Sequence, residues 1–74
     1  MKVLCTYTVN HVIKGEKTTG RILVGLHSMQ KEGNTYEYIK TYKLDKNAPD
    51  IATGLIGDPL FNDRGKVVGF NPLK

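Results

Sequence analysis

The chain has no tryptophan, three prolines and one cysteine, Cys5. A lone cysteine excludes an intrachain disulfide. Small secreted domains usually carry several cysteines in even number, so a reducing compartment, the cytoplasm, is the expected location. No apolar run approaches the roughly 20 residues of a membrane span. The opening Met1-Lys2-Val3-Leu4-Cys5-Thr6 has no long apolar stretch of the signal-peptide kind. Neither a leader nor a membrane partner is therefore expected.

Chemistry-bearing patterns are missing as well. His11, His27 and Cys5 lack the close paired spacing of zinc ligands, so no metal is expected. Gly54-Leu55-Ile56-Gly57 has two glycines but no following lysine or helix, so it is no phosphate loop. The carboxylates stand singly, mostly in turns, and offer no acid/base pair. A nucleophile needs a base within hydrogen-bond reach, and Cys5 has none within its sheet. The expectation is a non-enzymatic protein without cofactors.

What is present fits one small domain spanning residues 1–74. A chain of this size buries only about 60% of the surface its unfolded form exposes. A thin core favours self-association, so a homo-oligomer is one expectation. The net charge is +4 and uneven. Residues 1–46 hold eight Lys or Arg against four Asp or Glu, and residues 47–74 hold three against three. That excess favours an anionic partner, either nucleic acid or an acidic protein surface.

Val3, Cys5, Tyr7 and Val9 alternate with polar residues, and Leu4 breaks the alternation. Period two with β-branched and aromatic residues means strand. Gly15-Glu16 fits a hairpin turn with glycine first, which sets Lys14 opposite Lys17. Val9 then faces Ile22, Tyr7 faces Val24 and Cys5 faces Leu26, giving one continuous apolar face. Lys31-Glu32-Gly33 reads as a three-residue loop closing a second hairpin. In that register Tyr36 faces Ser28, Tyr38 faces Leu26, Lys40 faces Val24 and Tyr42 faces Ile22. The tyrosines join the apolar face, and Ile39 lies on the other side beside Leu23; a four-residue loop would reverse this and put the tyrosines on the opposite face.

Residues 45–58 are rich in loop formers, and Asn47 could cap a short helical turn carrying Ile51 and Leu55. Leu60-Phe61 and Val67-Val68 flank Asn62-Asp63-Arg64-Gly65 and form a third hairpin. Asn71 to Lys74 reads as a tail. The expected fold is all-β, with at most one short helical turn: a small five-stranded antiparallel barrel or bent sheet built from hairpins. Residues Gly57 to Gly69 are similar to the segment after the nucleophile of chymotrypsin-like serine proteases. That family places Ser-Gly-Gly between the Asp and the Pro, and those residues are absent here, so the likeness implies no catalytic role.

The stretch Thr35 to Lys43 stands out. Tyr36, Tyr38, Lys40 and Tyr42 project from one face of one strand. Aromatics interleaved with a cation form a protein-binding hot spot or a stacking platform for bases. The structural alternative is that tyrosines fill a small core with their hydroxyls at its rim. Arg21 and Lys43 are diagonal neighbours on adjacent strands, where like charges invite an anionic partner. Protein–protein interaction of the inhibitor or adaptor type is the leading expectation. Nucleic-acid or nucleotide binding through the basic half is the second.

Overall fold

The computed structural model describes residues 1–73 and is all-β. Five strands follow in order: β1 (Lys2–Ile13), β2 (Glu16–Lys31), β3 (Asn34–Leu44), β4 (Gly57–Phe61) and β5 (Val67–Pro72). They form one sheet in the order β1-β2-β3-β5-β4. The β3–β5 contact is parallel, through Leu44 and Val67, so the sheet is mixed rather than purely antiparallel. Lys2 bridges to Ile56 at the other side, but no strand ladder closes the sheet into a barrel. The result is a bent sheet measuring 51 × 24 × 23 Å.

Both long hairpins turn on two residues with positive φ: Lys14 (52°) with Gly15 (80°), and Glu32 (55°) with Gly33 (79°). This is the type I′ geometry, whose twist matches that of the flanking strands. Glycine sits second in each turn, and that corrects both expected registers. In the first hairpin Ile13 pairs with Glu16 and Tyr7 with Ile22, a slip of two that leaves side chains on their expected faces. In the second, Lys31 pairs with Asn34, a slip of one. One residue is one half of the pleat, so the tyrosine row moves to the opposite face. Tyr36 faces Met29, Tyr38 faces His27, Lys40 faces Gly25 and Tyr42 faces Leu23.

The register of β1 shifts between Val3 and Cys5, with Leu4 the extra residue. This bulge puts Val3 on the face of Leu23 while Cys5 stays with Val24. The sheet therefore has a core face and an open face. The core face carries Val3, Leu23 and Leu44, which pack with Ala48, Ile51 and Val67 as the buried cluster. Met1, Tyr42, Leu55 and Phe70 lean on its rim. The expected apolar face of Cys5, Tyr7, Val9, Ile22, Val24 and Leu26 is the open one, and none of these residues belongs to the core. Gly25 makes room for Met1: a Cβ there would run into the Met1 side chain.

Residues 45–56 form no helical turn. Their backbone groups bond to the sheet instead. The Val3 N–H donates to the Leu55 carbonyl (2.8 Å), Gly54 N–H to the Val3 carbonyl (2.8 Å), and Gly57 N–H to the Met1 carbonyl (2.9 Å). Groups committed to β1 cannot close a helix. Arg21 pins the start of the same segment. Its Nη2 donates to the carbonyls of Asp45 (3.0 Å) and Ala48 (2.6 Å), and its Nη1 lies 3.3 Å from Asp50. The third hairpin forms as expected. The Asn62 side chain accepts from the N–H groups of Arg64 (3.0 Å) and Lys66 (2.9 Å). Asn71 and Pro72 belong to β5 rather than to a tail, and Lys74 lies outside the described residues.

Candidate functional site

The covering segment spans only the middle of the meander. Beyond it two bare arms project: the β1–β2 tip and the β2–β3 tip. On the β2–β3 arm the core face continues as an aromatic ledge. The His27 ring stacks on Tyr38, with centroids 5.1 Å apart and planes 11° from parallel. Tyr42 tilts against His27 at 5.9 Å and against Phe61 at 5.6 Å. The Tyr42 hydroxyl and His27 Nε2 are 2.8 Å apart. With the imidazole proton on Nδ1, Nε2 accepts from the phenol. Lys40 Nζ stands 5.4 Å from the centre of the Tyr42 ring, within cation–π range. Tyr36, Tyr38, Met29 and Phe61 each keep nearly half of their surface exposed.

Two titrations reflect this packing. Burial, then the N-terminal ammonium and Lys40, hold His27 below its ordinary value of 6.5. Burial, then the Tyr38 phenol, push Tyr42 above 10.0. Both shifts favour the neutral forms that share the hydrogen bond.

The same strand has a bare edge. Counted from its two-residue turn, β3 turns the backbone groups of Asn34, Tyr36, Tyr38, Lys40 and Tyr42 toward β2. Those of Thr35, Glu37, Ile39 and Thr41 point outward. β5 meets β3 only at Leu44, so these outward groups have no strand beside them. The edge carries no proline or bulge, two of the devices that block strand addition, though Glu37, Lys40 and Lys43 place charge along the strand.

A second feature lies at the other end of β3. A cleft of about 560 Å³ is lined by Thr8, Thr19, Arg21, Lys46, Arg64 and Lys66, among others, with Asp45 beside them. It joins cations from β2, from the loop after β3 and from the β4–β5 hairpin. The Arg21 guanidinium is already spent on the loop carbonyls.

The expected site residues thus separate. Tyr36, Tyr38, Lys40 and Tyr42 share one face, as their spacing requires, with Tyr42 half-buried at the core rim. Arg21 stands on the core face opposite Leu44, whereas Lys43 pairs with Ile22 on the open face. They form no joint basic site, because neighbouring positions on paired strands point to opposite sides. Sequence reasoning missed His27, Met29 and Phe61 on the ledge, and Arg64 and Lys66 in the cleft. Only the second hairpin's register could have revealed His27 and Met29. Phe61, Arg64 and Lys66 arrive through a loop whose path has no local signal.

Among the described residues no three His, Cys, Asp or Glu side chains group to hold a metal ion. Among these residues, too, no helix is long and apolar enough to cross a membrane. Comparisons with known protein families, with curated proteins and with solved structures find no match, so the functional reading rests on the geometry of the ledge, the edge and the cleft.

Proposed function

We propose that this chain is a non-catalytic binding protein of the inhibitor or adaptor kind, which takes an extended segment of a partner protein along β3. The unpaired outer edge of β3 beside the exposed Tyr36 and Tyr38 carries the reading. In strand addition the main-chain bonds supply affinity and pockets for alternate side chains supply specificity. The outward N–H and C=O groups of Thr35 to Thr41 provide the first. The ledge of Tyr36, Tyr38, His27 and Met29 provides the second, and partly exposed tyrosines are favoured anchors at protein interfaces. Held stacked, the His27 and Tyr38 rings need little ordering on binding.

Selection from a display library of random peptides tests this. Peptides of alternating apolar pattern should be recovered, and their binding should survive a rise in salt from about 0.1 to 1 M. Tyr36→Ala or Tyr38→Ala should weaken binding about tenfold or more without unfolding the protein. Thr35→Pro should weaken it as well. That change removes an outward donor but leaves the bonds to β2 intact. Retained binding in all three variants would sink the proposal.

The cleft supports a second reading, a nucleic-acid or nucleotide binder using Lys46, Arg64 and Lys66. Like charges gathered from separate segments favour an anion between them. Its mark is binding to labelled oligonucleotides that weakens steeply with salt, because neutralising phosphates releases counterions. Absence of such binding at low salt would remove it.

A further inference from the structure

We propose that the open face of β1, β2 and β3 is a homodimer interface, on which a second copy of this chain packs sheet to sheet. The ledge lies on the other side of the sheet, and the two proposals share only β3: strand addition uses its outward backbone groups, the dimer its open-face side chains.

Tyr7, Val9, Ile22, Val24, Leu26 and Ile39 share this face, together with Cys5. Alternation along a sheet normally sets polar side chains opposite a single covered face. Here the uncovered side is as apolar as the covered one. Tyr7 is 48% exposed and Ile39 63%, with Val9, Ile22, Val24 and Leu26 half-buried between them. The molecule as a whole exposes 5785 Å², against roughly 4,600 Å² for a compact protein of its mass. Its radius of gyration is 14.2 Å, against roughly 11 Å for a compact chain of this length. That surplus of roughly 1,200 Å² is spread over both sides of the bare arms, the open face among them.

Charge identifies the occupant. The chain carries +4, yet the open face holds two lysines, Lys2 and Lys43, and two glutamates, Glu16 and Glu37. It is neutral, and the whole positive excess lies on the core face, the turns and the cleft. Two copies can meet here without bringing that excess together. The order of the charges is also self-complementary. Glu37 pairs with Ser28 and Lys43 with Ile22, so they stand at equal distances on either side of the Gly25–Lys40 pair. A two-fold axis across the strands at that level brings Glu37 of each copy over Lys43 of the other, with Val24 and Leu26 interdigitating between them. An isologous interface demands such self-matching. Two sheets packed about 10 Å apart would form a sandwich, with this face as its second core.

Analytical ultracentrifugation of the full chain over a concentration series is the test. A concentration-dependent dimer is expected. Val24→Glu should yield a monomer that keeps its β-sheet circular dichroism. Lys43→Glu should weaken association about tenfold or more, and Glu37→Lys in the same chain should restore it, because both cross-pairs re-form with exchanged signs. Cys5, the only thiol, lies on this face, so a short bismaleimide should join two copies covalently, and Val24→Glu should abolish the product. A chain monomeric at every concentration overturns the proposal. So does a dimer indifferent to Val24→Glu, or a Lys43→Glu defect that Glu37→Lys does not repair. Peptide selection with Thr35→Pro and Tyr36→Ala reads the β3 proposal separately, since those changes leave the dimer intact.

Discussion

The middle of the meander and its two arms are built from the same three strands, yet they differ in almost every physical respect. In the middle, Val3 and Leu23 are sealed from water, with Val67 of β5 packed against them, and Leu44 is nearly so. At the tips, Val12 and Ile13 are 70% and 58% exposed, and every residue from Ser28 to Glu37 is exposed. The strand sequences differ little in β-propensity. What differs is the segment that covers residues near Leu23 and stops short of the tips. Scaffold and presenting surface are therefore continuous stretches of one element, and the core's small size is the condition for so much free strand.

The difference can be broken most sharply in the middle. Leu23→Ala should cost about 3 kcal/mol in denaturant unfolding, as burial is lost and a cavity left. Arg21→Ala should cost about 2 kcal/mol, because the carbonyls of Asp45 and Ala48 lose a charged donor and the cover loosens. Arg21→Lys should not restore it, since one ammonium cannot reproduce the fork. The Asp50 ion pair adds little, as its carboxylate is fully exposed.

The arms should respond less. Gly33→Ala places a Cβ in the left-handed region and should cost about 1 kcal/mol. Its clearest readout is faster amide exchange at Met29 and Tyr36 than at Leu23 and Tyr42. The ledge links the regions through pH. His27 is held below 6.5 in the fold, so its contribution to stability is full above that value. It declines as pH falls from 6.5 to the lowered pKa and is flat below. Unfolding midpoints between neutral and mildly acidic pH should show the decline, and His27→Gln should reduce it. Smallest of all, Val12→Ala at the far tip should stay within about 0.5 kcal/mol.

Much of the fold was legible in the chain. Alternation in residues 2–44 identified three strands, and turn residues placed the third hairpin. Even the break at Leu4 marked the bulge. The registers were not legible, because type I′ turns prefer Asn or Asp at their first position and this chain has Lys14 and Glu32 there. The twist of two long strands overrides the local preference. For the candidate site, the spacing of Tyr36, Tyr38, Lys40 and Tyr42 guaranteed a shared face, but nothing local said which one.

By itself, then, the sequence determined the strand content, the five-strand order along the chain, the tyrosine row and the apolar set of Cys5, Tyr7, Val9, Ile22, Val24 and Leu26. Tertiary structure alone decided which side of the sheet is covered. Two comparably apolar faces were available, and periodicity cannot rank them. The choice fell to where residues 45–57 find backbone partners. The edge of β1 at Val3 holds Gly54 and Leu55, and the Arg21 side chain, standing on one face only, draws Asp45 and Ala48 to that side, so the cover settles there and leaves the other face open.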